Sequence, residues 1–160
     1  ATDELAEEID LSLAYATNYQ CVVVKKDNIS KFNTSDDLKG KQIAVESGSA
    51  GSNVLVGIVS PNAVGSQLDA LNEVKAGTSI ACVIDYTMAY SLVGKGDYTD
   101  LAIIEADKIS FEQEVFAIGA RKDSDIVAKL NEFLKAKYSD GTLNELATKY
   151  GVAINDAAFK

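Results

Sequence analysis

Histidine is absent from all 160 residues, which removes Ser-His-Asp and Cys-His catalysis and imidazole ligation of a metal. Cysteine occurs only as Cys21 and Cys82, too far apart for a CxxC redox or zinc motif. Both sit in apolar runs, Gln20–Cys21–Val22 and Ala81–Cys82–Val83, a setting that predicts buried free thiols and leaves open whether they are neighbours in space. Arginine occurs once, as Arg121, and 24 acidic residues outnumber 15 basic ones for a net charge of −9. So acidic and arginine-poor a chain is unsuited to phosphate backbones, so nucleic acid is set aside as a partner. No apolar run approaches the ~18 residues of a membrane-spanning helix. Residues 1–4 carry no basic leader, which predicts that any signal peptide has been removed or never existed.

What is present is ordinary globular material. Hydrophobic residues make up 47% and charged residues 24%, with mean hydropathy +0.01, which argues against disorder. The length suits one compact domain, or a small domain with attached pieces, burying roughly two thirds of its unfolded surface.

Strand-like and helix-like segments alternate along the chain. Residues 2–9 read as a short helix with Thr2 as its cap. The apolar, β-branched run at 19–25 predicts a buried strand, and residues 34–40 a capped turn ending at Gly40. A strand at 42–46 runs into Ser47–Gly48–Ser49–Ala50–Gly51–Ser52, after which 53–59 reads as helical. A short strand at 62–66 precedes Leu68, Leu71 and Val74 at helical spacing, with Gly77 placed to end that helix. Residues 80–84 predict another apolar strand, 87–93 a helix, and 101–104 and 115–119 further strands. Ile126, Val127, Leu130, Phe133 and Leu134 mark one face of a long helix. Thr142 and Glu145 fit a capping box for a last helix, so that residues from Asp123 onward read as helical only. This alternation predicts an α/β fold with a mostly parallel sheet flanked by helices, plus C-terminal helices.

Two features carry chemistry. In open α/β sheets ligands bind beyond the carboxyl ends of the strands. The segment Ser47–Gly48–Ser49–Ala50–Gly51–Ser52 lies at such an end, where a helix start offers unpaired N–H groups to an anion and Ser49 and Ser52 add hydroxyls. It has neither the lysine of a Walker loop nor GxGxxG spacing, so a small carboxylate fits better than a phosphate. The alternative is a plain turn rich in Gly and Ser. Asp85 follows the strand at 80–84 and offers an acceptor to an ammonium group; the alternative is that it caps the next helix. Together they supply what a zwitterion requires. No carboxylate pair stands out as general acid and base, the tyrosines form no ordered stripe, and no metal or cofactor is implied.

Longer stretches carry a resemblance. They are Ile9–Asp10–Leu11–Ser12–Leu13–Ala14–Tyr15, Cys21–Val22–Val23–Val24–Lys25–Lys26, and Asp37–Leu38–Lys39–Gly40–Lys41–Gln42–Ile43–Ala44–Val45–Glu46–Ser47–Gly48. Further on come residues 69–77, Val83–Ile84–Asp85, residues 115–122, and Ser139–Asp140–Gly141–Thr142–Leu143 through Lys149–Tyr150–Gly151. In this order they resemble the type II periplasmic binding proteins, in particular the extracellular amino-acid-binding family of ABC importers. The first is similar to that family's VDFSxPY, the second to its hinge strand, the third to DLKGKkIgVqsG. Ala14 stands where the family has proline, and Ala50 where it usually has a hydroxyl residue.

The resemblance implies a two-lobed receptor that closes around an amino acid. Ser47, Gly48, Ser49, Ala50 and Gly51 would then hold the α-carboxylate and Asp85 the α-amino group. Residues 21–118 correspond to the second lobe, and 1–20 and 119–160 to the hinge and remnants of the first. Most of the first lobe has no counterpart, including its carboxylate-clamping arginine, a role that Arg121 does not fill. The apolar faces of the helices after Asp123 would lack a partner within the chain, which predicts a homodimer through those surfaces. Implied partners are an amino acid and ABC permease subunits, and the implied location is periplasmic or extracellular, with a lipid anchor in the precursor. Two alternatives stand: a dehydratase of the same fold acting on a small carboxylate, and a non-transport sensor or oligomerising module.

Overall fold

A computed structural model describes residues 3–160. In chain order they form α1 (Asp3–Glu8), β1 (Ile9–Leu11), β2 (Ala16–Lys25), β3 (Ile43–Glu46), α2 (Ala50–Val54), β4 (Asn62–Val64), α3 (Gln67–Ala76) and β5 (Ala81–Asp85). There follow α4 (Tyr86–Leu92), β6 (Leu101–Ile103), β7 (Gln113–Phe116), β8 (Gly119–Arg121), α5 (Ile126–Ser139), α6 (Thr142–Tyr150) and β9 (Ala153–Ile154). Thr2, the expected cap of the first helix, lies outside the described residues. The chain divides into two units, one of residues 1–18 and 113–160, the other of residues 19–112, with β2 running through the boundary. The expected lobe was 21–118.

In the unit of residues 19–112 the strands lie in the order β4-β3-β5-β2-β6. β3 is parallel to β4 and β5, whereas β2 is antiparallel to β5 and β6. The sheet is therefore mixed, and the expectation of a mostly parallel one holds for β4, β3 and β5. Strand direction is not written in an apolar run; it is set by how the connections return. Alternate residues of β2 enter two clusters, Val22 and Val24 with Phe32, Leu38, Val45 and Val83, and Cys21 and Val23 with Leu71, Val74, Cys82 and Ile84. Burial of both faces is why these strands read as continuous apolar runs.

Helix ends follow local hydrogen bonding. The expected capped turn forms at Ser35–Leu38, where Thr34 and Asp37 make a capping box. Ser66 caps α3 by accepting from the Asp69 N–H, and Gly77 ends it in the left-handed conformation at φ +83°. Leu71 and Val74 are buried on α3 as expected, but Leu68 is 44% exposed and Ala70 takes its place in the core.

In the unit of residues 1–18 and 113–160, β1 pairs antiparallel with β8, and β9 with the start of β2 at Ala16 and Thr17. The strand expected at 115–119 is divided between β7 and β8, and β9 interrupts a stretch expected to be only helical. The Thr142–Glu145 capping box does not form: Gly141 is the N-cap of α6 without a side-chain bond, and Asp140 accepts the Thr142 N–H at 2.9 Å. Of the buried apolar side chains among the described residues, only Ala16, Leu134 and Ala147 belong to this unit. Ile126, Phe133, Leu146 and Tyr150 on its helices are 45–58% exposed. Polar bonds join its segments instead. Ser12 exchanges two 2.9 Å bonds with Ile118, and Asn131 accepts the Leu13 N–H at 2.8 Å.

Candidate functional site

The parallel register of β3 and β5 pairs Val45 with Val83, so the chain leaving β3 at Glu46 does so at the end of the sheet where β5 reaches Asp85. Ser47, Gly48, Ser49, Ala50, Gly51 and Asp85 all belong to the unit of residues 19–112 and cluster at that carboxyl end.

The Gly/Ser segment is not a loop followed by a helix at 53–59. Helix α2 begins at Ala50 and ends at Val54, with Ser49 as its N-cap. Gly51, expected in the turn before the helix, is buried inside the helix. A Cβ at Gly51 would lie 3.1 Å from Gln20 Oε1, Val45 Cγ2 and the Val83 carbonyl oxygen, so any larger residue would need α2 or the sheet to give by a few tenths of an ångström. Ser49 Oγ donates to the Glu46 carbonyl oxygen at 2.8 Å and accepts the Ser52 N–H at 3.1 Å. Its hydroxyl proton is thus spent within the turn, and Ser52 contributes its backbone N–H there. Ser47 and Gly48 are exposed, Gly48 at φ +69°, and the Ser47 N–H donates to the Val64 carbonyl oxygen at 3.0 Å. What the segment offers an anion is the first-turn N–H groups of Ala50 and Gly51, which have no acceptor within a helix.

Asp85 ends β5 and occupies the N-cap position of α4, but its side chain makes no capping bond. The capping alternative is therefore replaced by another arrangement. Gln20 Nε2 donates to Asp85 Oδ1 at 2.6 Å, and Gln67 Nε2 donates to Oδ2 at 2.8 Å. The backbone N–H of Asp85 donates in turn to Gln67 Oε1 at 3.0 Å. Gln20 is 1% exposed and lies opposite Asp85 in the β2–β5 register. Its carboxamide touches both halves of the site, with Nε2 on Asp85 and Oε1 against Gly51.

Aromatic side chains stand beside this carboxylate. Tyr86 follows Asp85 in the chain and stacks on Tyr19 with ring centroids 4.6 Å apart, and Tyr90 lies 6.0 Å further along. Burial, then the neighbouring Tyr86, pushes the Tyr19 phenol up to about 12. Burial, then the Asp85 charge, pushes the Cys21 thiol up to about 12. Sequence reasoning missed Gln20, Gln67 and the Tyr19–Tyr86 pair. A lone glutamine has no motif; the only trace was a polar residue heading an apolar strand.

Comparisons with known proteins match this fold. Residues 1–153 fit the family model of the bacterial extracellular solute-binding proteins, family 3. The L-cystine-binding protein TcyJ of Escherichia coli (strain K12) is 28% identical over 153 residues, 93% of this chain and 56% of that protein. The probable amino-acid-binding protein YxeM of Bacillus subtilis (strain 168) is 31% identical over 156 residues, 93% of this chain and 58% of that protein. The solved structure of the ancestral amino acid-binding protein AncCDT-1, a precursor of cyclohexadienyl dehydratase, matches with a TM-score of 0.81 at 25% identity, covering 94% of this chain and 65% of the other. The chain spans a little over half the length of the curated relatives it matches.

Proposed function

The chain belongs to the bacterial extracellular solute-binding proteins, family 3, with the α/β fold of the type II periplasmic binding proteins, and from that premise we propose that it captures an amino acid for an ABC importer. The observation that carries this reading is the pairing, at one end of one sheet, of a carboxylate held by two amides with a helix start whose first-turn N–H groups face an anion's needs. Asp85 takes the α-ammonium. Ala50 and Gly51 take the α-carboxylate through their backbone, with Ser47, Gly48 and Ser49 shaping the turn that presents them. Binding shifts an equilibrium between open and closed forms, and permease subunits at the membrane read the closed form.

No bond is made or broken in this role. The relatives compared are named as binding proteins, the sequence has no histidine, and no carboxylate pair stands out in it as general acid and base. The dehydratase alternative, raised by the resemblance, is supported by the name of AncCDT-1, a precursor of such an enzyme. A place outside the cytoplasm follows from the family's extracellular character; no helix among the described residues is long and apolar enough to cross a membrane. The comparisons lend no support to the homodimer expected from the exposed apolar helix faces.

Thermal unfolding against a panel of amino acids tests the proposal, with cystine and arginine included because relatives are named for them. A ligand at a hundred times its dissociation constant stabilises by about 2.7 kcal/mol. The expected result is a selective rise with one or two amino acids, abolished in Asp85→Ala. A flat panel at millimolar ligand, or turnover of prephenate or arogenate, overturns it.

A further inference from the structure

An aspartate at a helix N-cap ordinarily accepts a first-turn N–H. Asp85 does not, and its carboxylate is bound elsewhere at both oxygens. Gln67, the first residue of α3, grips it at two points: Oε1 accepts the Asp85 backbone N–H at 3.0 Å while Nε2 donates to Oδ2 at 2.8 Å. One carboxamide therefore fixes both the backbone and the side chain of the same residue. Gln20, 1% exposed, fixes the second oxygen at 2.6 Å. Three elements, β2, α3 and β5, thus converge on a single carboxylate.

The chemistry of the two holders matters. Gln20 and Gln67 each place one amide N–H on one oxygen of the Asp85 carboxylate. A lysine or arginine in their place would pair with the charge itself; a neutral amide orients it without supplying an opposite charge. Fixing an acceptor before its ligand arrives lowers the ordering cost of binding.

We infer that Gln67 and Gln20 are positioning residues for Asp85, withdrawing its carboxylate from the helix cap and presenting it in a fixed orientation to a ligand's ammonium group. The inference rests on the receptor reading of Asp85. Gln20 also fills the interior, so the informative variant is the half-buried Gln67. Gln67→Met keeps the shape and removes both bonds; Gln67→Glu keeps an acceptor for the Asp85 N–H and removes the donor.

The test has two readouts on the folded chain. In the free protein, NMR couplings of the Asp85 methylene report its rotamer: a single one is expected in the wild type and averaging in Gln67→Met, with distant amide signals unmoved. Titration then uses L-arginine and δ-guanidinovalerate, the same molecule without its α-amino group. Both variants should bind L-arginine about tenfold more weakly, while binding of the deaminated probe is unchanged. An Asp85 rotamer that stays fixed in Gln67→Met overturns the inference, as does equal weakening for both probes. If the wild type binds neither probe, arginine is not its ligand, the receptor reading is decided by the amino-acid panel, and the rotamer readout alone decides whether Gln67 positions Asp85.

Discussion

Gly51 lies directly against Val83: a Cβ on Gly51 would stand 3.1 Å from the Val83 carbonyl oxygen. Backbone cannot swing aside as a flexible side chain can, and Val45 and Gln20 close the other directions at the same distance. Gly51→Ala should therefore lower stability even though alanine is the better helix former. Overpacking costs about 1–3 kcal/mol, against a propensity gain of up to about 1 kcal/mol. A net loss of about 1 kcal/mol is expected, seen as a fall in the urea midpoint. An unchanged or raised midpoint would show that α2 can lift from the sheet without cost.

Leu68 and Leu71 share an apolar helical pattern in sequence but not a fate in structure. Leu71 is fully buried in the cluster with Val74 and Ile84, whereas Leu68 is 44% exposed. Leu71→Ala should cost about 2–5 kcal/mol through lost burial and the cavity left behind. Leu68→Ala should stay within about 0.5 kcal/mol, as surface substitutions do. Chemical denaturation of both variants checks the contrast, and equal losses would place Leu68 in the core.

Legibility followed burial. β3 and β5 were readable because both their faces are covered, so every residue is apolar until Glu46 and Asp85. The caps were readable where the sequence pattern and the hydrogen bonds coincide, as at Thr34 and Asp37. They were misread where a neighbour competes, as when Asp140 takes the N–H group of Thr142. Helix α2 was placed three residues late because Gly51 was read as part of the Gly/Ser turn, whereas glycine stands there because the helix closely approaches strands that are distant in sequence. The six candidate residues were named from their position at strand ends together with the family resemblance. What holds them was not, because Gln20 meets Asp85 only through the antiparallel pairing of β2 with β5.

Cys21 and Cys82 should remain thiols through prolonged storage in air. Both are buried and free, and the register sets Val23 opposite Cys82 and Cys21 opposite Ile84, so the two cysteines are diagonal neighbours. Diagonal pairs lie about 7–8 Å apart, beyond ordinary disulfide reach. Burial pushes the Cys21 thiol up to about 12 and Cys82 well above its ordinary value, so neither forms the reactive thiolate in the fold. Ellman's reagent should find both thiols in denaturant and neither in the native protein. An unfolded thiol ionises near pH ~8.5 while the folded ones stay protonated, so stability should fall as pH rises from there towards 12. Rapid native labelling would contradict this.

Acid should act on exposed carboxylates at caps and turns. The ammonium of Lys137, then the hydroxyl and backbone N–H of Thr142, hold the Asp140 carboxyl down at about 2. The backbone N–H groups of Asn33 and Thr34 lower Asp37 in the same direction. In the unfolded chain both groups return to about 4. Each is lower in the folded state, so each contributes stability that is fully present above pH about 4 and lost as pH falls towards 2. Asp140→Asn should lower the thermal midpoint at pH 7 and leave it unchanged near pH 2, because only the charged form is held. Solvent and salt screen an exposed group, so the difference should also shrink at high ionic strength. Midpoints of the two proteins are to be compared between pH 7 and 2; curves that run parallel across that range would mean that Asp140 acts through shape rather than charge.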